Sequence, residues 1–384
     1  MRNEPVEAEK LTVKAARFVE LLSEPFVGRE EEARLIALAL LTREHGLLLG
    51  EPGTAKSAIA RRASELVQAR FFKYLLTRFT EPSELFGPLD IEALKRGEYR
   101  RISRGKLPEA EIAFLDEIFN ANSAILNSLL SIMQERVLYD GYSEIRVPLW
   151  SLIAASNRIP EDPELEALYD RLLLRHHTKP LPENRWADLL EASWRIEAGL
   201  VPPAEPVMTM DDLARLHELV FKVDLSQVMP KLLKIYAVFE ERGIHLTDRR
   251  KGKALKVIAA NALLDGRMAA EEQDLLALKY VAPRDLEDFD KVAVILSEEL
   301  RTPERYMREL SEILANVREA ARAVKYMHNY DPRLIEMYRN MRTARSRVST
   351  IMRETDDPKV REKGFELIKE IDAVIDEISR RLGI

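Results

Sequence analysis

Apolar positions follow three successive rhythms along this chain. Leu11, Ala15, Phe18, Val19 and Leu22 share one helix face, so residues 6–23 read as an amphipathic helix. Pro25 to Glu30 breaks that period, and a second helix is expected from about Glu30 to Arg43. Short apolar runs then take over. Gly46–Leu49, Phe71–Leu76, Ile112–Leu115 and Leu149–Ala155 are too short for helices and suit strands buried on both faces. Helical segments alternate with them, one beginning at Ser57 and another spanning Ser123–Glu135. Val137–Tyr142 reads as a hairpin, because Asp140-Gly141 supplies the positive φ its turn needs. The alternation predicts an α/β fold with a mainly parallel sheet. Ligands of such sheets sit outside the carboxyl ends of the strands.

From about Pro180 the pattern becomes wholly helical. Pro202-Pro203 and Pro206 mark a linker, and helices are expected near 210–222, 226–242, 248–265 and 271–279. Beyond Pro283 three long helices start at Thr302-Pro303, Asp331-Pro332 and Asp357-Pro358, where Thr or Asp caps and Pro loses no needed N–H. Their apolar residues step by three and four. The expected seams are Leu310, Ile313, Val317, Ala320, Val324 and Met327; Leu334, Met337, Met341, Ala344, Val348 and Ile351; and Ile368, Ile371, Ile375, Ile378 and Leu382. Short turns between them imply antiparallel packing. Three domains follow: an α/β core over 1–185, a linker and helical lid over 186–285, and a three-helix bundle over 286–384.

Composition narrows the function. The 384 residues are 46% hydrophobic and 32% charged, with a formal net charge of −6. The acidic balance lacks the basic footprint of a nucleic-acid binder. No cysteine is present, so disulfides and thiolate metal sites are excluded. Absent cysteine, an early run of charges at Glu4, Glu7, Glu9 and Lys10, and no stretch of eighteen apolar residues lead us to expect a cytoplasmic protein with neither signal peptide nor membrane span. The six histidines show no metal-ligand spacing, and the adjacent His176-His177 cannot share a helix face.

The chemistry gathers at the strand ends. Gly50-Glu51-Pro52-Gly53-Thr54-Ala55-Lys56-Ser57 is a phosphate-binding loop with Ala55 in place of the second glycine. Loop N–H groups cradle phosphates, Lys56 reaches the terminal phosphates and the Ser57 hydroxyl suits Mg²⁺. Ala58 continues the segment into a helix whose positive end faces the phosphates. Ala55 is tolerable if its φ is negative, as on entering a helix. Asp116 closes its strand where a carboxylate would hold Mg²⁺ with Ser57, and Glu117 would orient or deprotonate an attacking water. Asn157 closes the next strand, where its amide can meet the γ-phosphate or the water. The alternative readings are a Gly-Pro turn, a solvated carboxylate pair and a turn-forming Asn; the order of all three elements weighs against them.

Taken with further segments, the chain resembles an AAA+ ATPase of the MoxR class, closest to its RavA-like branch. The matching stretches are Phe26–Glu30, Gly50–Ser57, Phe86–Leu89, Leu107–Ala110, Phe114–Ile118, Ala155–Asn157 and Leu168–Arg175. Ala55 is itself part of the RavA-like pattern. The resemblance implies ATP as nucleotide, Asn157 as sensor 1 and Arg171 as the arginine finger that reaches a neighbouring subunit's γ-phosphate, with Arg175 a weaker second candidate. Arg249, chosen over Arg250 in Thr247–Arg250, matches sensor 2. Val27 and Gly28 match the segment near adenine. Residues 80–106 and the hairpin near Asp140-Gly141 match two inserts that point to a ring pore. A finger acting in trans implies a homo-oligomer, a hexameric ring in this family. Protein clients are implied, often with a partner containing a von Willebrand factor A domain. The β-rich insertion of RavA-like proteins is missing after about residue 285, so any partner docking through it is not expected.

The leading expectation is therefore an ATP-driven remodelling chaperone. A nucleic-acid motor of the same clade is the second reading, opposed by the acidic charge. A nucleotide-controlled scaffold with negligible turnover is the third, opposed by Glu117 and Arg171.

Overall fold

The computed structural model describes residues 4–140, 143–160, 162–355 and 357–383. It divides into two compact units that part between Ala293 and Val294. Among the described residues no helix is long and apolar enough to cross a membrane.

The first unit opens with helices α1 (Glu4–Ser23) and α2 (Glu30–Thr42), followed by strand β1 (His45–Leu49). Helix α3 (Lys56–Leu66) and strand β2 (Phe71–Leu75) follow, then two short helices, α4 (Pro82–Phe86) and α5 (Ile91–Lys95). Strand β3 (Ile112–Asp116) and helix α6 (Ser123–Glu135) lead into a two-stranded hairpin, β4 (Val137–Asp140) and β5 (Ser143–Arg146). The core ends with β6 (Ser151–Ser156), α7 (Pro163–Arg171) and β7 (Leu172–His177). β1, β2, β3, β6 and β7 form one sheet in the order β2-β3-β6-β1-β7. All four pairings are parallel, with Gly46 opposite Ile153, Phe114 opposite Ile153, Phe72 opposite Ala113 and Leu48 opposite His176. β1 and β6 are buried at every residue, which is why they read as unbroken apolar runs. Every carboxyl end lies on one edge, as the strand pattern requires.

Strand β7 was not foreseen. Leu172-Leu173-Leu174 has no period that separates strand from helix, and pairing with β1 decides the matter. The expected strand 149–155 lies at Ser151–Ser156 instead. The turn of the hairpin, residues 141–142, falls outside the described residues. The hairpin's Asp140 is buried and accepts from Arg101 Nε at 2.9 Å, so the hairpin and the segment carrying α4 and α5 are tied together.

Helices α8 (Trp186–Glu197), α9 (Met210–Val220), α10 (Met229–Glu241), α11 (Asp248–Leu264) and α12 (Leu278–Val281) complete this unit, and α13 (Leu286–Glu299) spans the boundary. The expected helix at 271–279 is instead a 3₁₀ segment, Glu272–Ala277, leading into α12. The helical region is tied to the core at both ends of the strands: Tyr280 and Lys279 bind Glu31 of α2 near the carboxyl ends, and α11 binds at the amino ends. Glu44, just before β1, binds Lys253 and Lys256 of α11 at 2.8 and 2.5 Å.

The second unit is a bundle of α14 (Pro303–Lys325), α15 (Arg333–Glu354) and α16 (Pro358–Leu382). Thr302 Oγ1 and Asp357 Oδ1 cap their helices by accepting from Arg305 and Val360 N–H. Asp331 instead accepts from Arg333 N–H, with Pro332 already in helical geometry ahead of α15. Ion pairs Glu309–Arg347 and Arg345–Asp372 follow the antiparallel order of neighbouring helices. The seams of α14 and α15 centre on expected residues: Leu310, Val317 and Val324, then Leu334, Met341, Val348 and Ile351. On α16 the buried line is Val360, Leu367, Ile371, Val374 and Ile378, while Ile368, Ile375 and Leu382 flank it. The stripe is wide there, and spacing alone does not identify its centre.

Candidate functional site

The site starts where β1 runs out. Gly50 takes φ +141°, and a Cβ there would collide with the Thr178 carbonyl, so only glycine fits this turn. Gly50 N–H donates to Ser156 O at 3.0 Å, anchoring the loop to the end of β6. The loop closes on Ala55, which has φ +62°. This corrects the expected negative φ: the chain is still left-handed at the residue before α3, and an L-residue costs about 1–2 kcal/mol there.

Lys56 opens α3 and is only 8% exposed. Its Nζ donates to Gly50 O at 2.9 Å, Glu51 O at 2.7 Å and Thr54 Oγ1 at 3.0 Å. Burial lowers its pKa, opposed by the carboxylates of Asp116 and Glu117. The two acids face the loop across a cavity of about 540 Å³, lined by Gly50, Pro52–Ser57, Leu75, Asp116 and Glu117. That volume is ordinary for a small-molecule site. Asp116 Oδ1 accepts from Glu117 N–H at 3.1 Å. Glu117 sits at φ +51°, a second left-handed non-glycine residue in the same cavity. Burial and the neighbouring Asp116 push its pKa up; Lys56, Arg158 and the Asn157 backbone N–H pull it down. A carboxylate so placed is suited to accept a proton from water.

The residues present fit a magnesium nucleotide. Ser57 and Asp116 line one cavity with Lys56, and a glycine turn leaves room for phosphate beside backbone N–H groups. No cluster of three His, Cys, Asp or Glu side chains suited to a metal occurs among the described residues. Mg²⁺ needs none, because one or two carboxylates plus substrate phosphates suffice.

Other expected residues lie elsewhere. Glu51 and Ala58 are exposed and do not line the cavity, although Glu51 contributes its carbonyl to Lys56. Asn157 reaches Glu117 through its backbone, while its side chain is exposed. Val27 lines a separate cavity of about 280 Å³ with Pro25, Ala192 and Val201, and Gly28 packs on Leu181.

Arg171 and Arg249 are grouped together at the opposite edge of the sheet. Arg171 ends α7, immediately before β7, whose Leu172 pairs with His45 at the foot of β1. Roughly 13 Å of β1 separates that foot from the loop. Arg171 Nη1 donates to Ala167 O and Nη2 to Gln134 Oε1, while its buried Nε makes no hydrogen bond. Burial and then Arg249 lower its pKa. Arg249 lies 3.7 Å from Asp170.

Arg175 and Arg250 are both buried and engaged with backbone carbonyls. Arg175 is 3% exposed, and its three nitrogens donate to the carbonyls of Leu172, Pro283 and Tyr169. Arg250 is equally enclosed and donates to Leu173 O and Val281 O. These two cations join the lid to the turn carrying Arg171. Both lie in stretches singled out in the sequence, but the contacts that cross to Pro283, Leu173 and Val281 carry no sequence signal.

Known proteins place this geometry. Residues 13–218 match the model of the MoxR domain in MoxR–vWA–beta-propeller ternary systems, and residues 224–296 match an AAA lid domain. An uncharacterized protein of Methanocaldococcus jannaschii is 40% identical over 72% of this chain and 73% of its own length. The chaperone MoxR1 of Mycobacterium tuberculosis is 28% identical over half of each chain. The crystal structure of a provisionally assigned ATPase from Cytophaga hutchinsonii superposes with a TM-score of 0.64 at 17% identity, covering 77% of this chain and 97% of that one. At that identity the likeness shows the fold. None of these matches singles out the RavA-like branch. With its parallel sheet, loop, strand-end carboxylates and lid, the chain belongs to the MoxR family of AAA+ ATPases.

Proposed function

We propose that this protein hydrolyses ATP with Mg²⁺ and couples the reaction to remodelling or activation of partner proteins, through sites shared between subunits of a ring. One observation carries the reading. Lys56, Ser57, Asp116 and Glu117 meet in one cavity at the carboxyl edge of the sheet, whereas Arg171 and Arg249 stand together at the amino edge. Within one chain the arginines cannot complete the site; a neighbour's amino edge can.

In this reading the loop amides and Lys56 bind the β- and γ-phosphates. Ser57 and Asp116 hold Mg²⁺, which supplies charge neutralisation when bound. Glu117 takes a proton from the attacking water, and Asn157 orients that water or the γ-phosphate. Arg171, with Arg249 beside it, neutralises charge developing on the neighbour's γ-phosphate, an effect worth about 10³–10⁵ in rate in other phosphate hydrolases. Val27 and Gly28 border the base. Core, lid and C-terminal bundle act as three working parts, and a protein with a von Willebrand factor A domain is the partner class we infer from the matched family's description.

The test is ATP turnover per subunit against protein concentration, with Glu117→Gln as control. A rate that rises with concentration and vanishes in the variant is expected. Arg171→Ala should bind nucleotide without hydrolysing it and regain turnover when mixed with Glu117→Gln subunits. Lack of complementation at every ratio refutes the shared site.

A further inference from the structure

Beside the phosphate loop lies a charged pair: Arg29 falls in the matched stretch Phe26–Glu30, but no motif announces its contact with Glu32. Arg29 is 8% exposed and Glu32, in the first turn of α2, is 1% exposed. Arg29 Nη1 donates to Glu32 Oε1 at 3.2 Å and to the Lys179 carbonyl at 3.0 Å. Lys179 follows Thr178, whose N–H donates to Leu49 O at 2.8 Å and whose carbonyl is the surface Gly50 turns against. A short chain of contacts therefore runs from Glu32 through Arg29 and the Thr178–Lys179 backbone to Gly50. Lys56 lies within the electrostatic reach of both charges.

This pair is a poor way to stabilise a fold. Two ions have been taken out of water, and Glu32 Oε2 makes no hydrogen bond. Apolar residues of similar size would commonly hold such a position as well or better. The geometry offers another reason for its presence. Through one nitrogen, Nη1, the guanidinium bridges a carboxylate and a carbonyl and so ties the backbone at Lys179 to α2 by a charge-assisted hydrogen bond. The adjacent Glu31 is bonded to the lid: its Oε2 accepts from Tyr280 OH and Lys279 Nζ, each at 2.6 Å. One helical turn thus holds the lid with one acid and the floor of the loop with the next.

We propose that Glu32 and Arg29 are positioning residues for the phosphate loop, pinning the Thr178–Lys179 backbone so that Gly50–Lys56 is held ready for phosphate. The proposal rests on the nucleotide-site reading above. Without the pin the loop samples other shapes, and apparent affinity falls by the fraction still competent.

Three variants test it: Glu32→Gln, Arg29→Gln/Glu32→Gln and Arg29→Lys. Glu32→Gln strands a buried cation and lowers the melting temperature, and the double variant recovers it because no unpaired charge remains. Binding behaves differently. In all three, Kd for a fluorescent ATP analogue with Mg²⁺ rises about tenfold, set by a competent fraction near one tenth. KM rises with it while kcat stays within about twofold, as expected when only ground-state preorganisation is lost. Amide exchange across Gly50–Ser57 becomes faster without nucleotide. A double variant with restored stability, wild-type Kd and unchanged exchange overturns the proposal. Should the double variant not fold, Arg29→Lys decides, since it keeps the charge on a side chain one bond shorter than the reach to Nη1, which alone makes both contacts; wild-type affinity there overturns it equally. If wild-type protein binds no nucleotide the ATPase reading fails, and the exchange comparison still tests the pin.

Discussion

Ala55 offers the sharpest check on how the loop is built, because two backbone geometries predict opposite signs. At φ +62° an L-residue costs about 1–2 kcal/mol relative to glycine. Glycine gives back about 0.5–1 kcal/mol through the greater freedom of the unfolded chain. Ala55→Gly should therefore stabilise the first unit by about 0.5–1 kcal/mol. For a unit reaching to Ala293 this is a rise of about 1–2 °C in melting temperature. Ala55→Val should do the reverse, since a β-branched residue at positive φ is a genuine outlier. Were φ negative, glycine would instead cost about 0.5–1 kcal/mol and valine would be tolerated. Differential scanning calorimetry of the three proteins, with urea midpoints as a second readout, separates the cases. A glycine variant that melts below wild type refutes the left-handed assignment and the strain inferred from it.

Gly50→Ala should destabilise the unit by about 1–3 kcal/mol and abolish nucleotide binding, because its Cβ meets backbone at Thr178; calorimetry and a labelled-nucleotide titration read both effects. Burial would raise the Glu44 carboxyl, yet Lys256 and Lys253 outweigh it and hold it below its ordinary value. Its contribution is thus complete above the unfolded pKa and is lost as pH falls through the folded one. Glu44→Gln should cost about 1–3 kcal/mol at pH 7, with the gap to wild type narrowing in denaturant titrations as pH falls below the ordinary carboxylate range. His45 is fully enclosed, its Nδ1 accepting from Leu152 N–H and its Nε2 facing Met133 O, and burial then Arg136 push its pKa down to about 3. The unfolded chain takes up that proton near pH 6.5, so stability should fall by about 4 kcal/mol between pH 6.5 and 3. The His45 ring resonances should not titrate above pH 4.

What could be read from residue order was whatever local physics decides. Helix α6 runs over the expected Ser123–Glu135 because Asn122 caps one end and Arg136 turns left-handed at the other. The strands ending in Asp116 and Ser156 were legible because burial on both faces leaves no polar alternation to confuse them. Tertiary partners decided the rest. β7 is a strand because β1 lies beside it, and α16 centres its buried face on Leu367 and Val374, with Ile368 and Ile375 at the flank. Ala55 could not be placed from its neighbours, since closure against Gly50 and Lys56 sets its φ. The contacts of Arg175 with Pro283, of Arg250 with Leu173 and Val281, and of Arg29 with Lys179 reach carbonyls far along the chain, beyond any spacing rule.

The separation of Lys56 from Arg171 across the sheet has a consequence of symmetry. On the shared-site reading each chain carries a donor edge and an acceptor edge, and contact is head to tail. An open row of n chains then completes n − 1 sites and leaves one edge of each kind idle. Closing the row completes the last site with no further chain. Curvature that brings the two ends together is thus favoured by nucleotide itself, and a chain defective in one edge spoils one site while its other edge still serves.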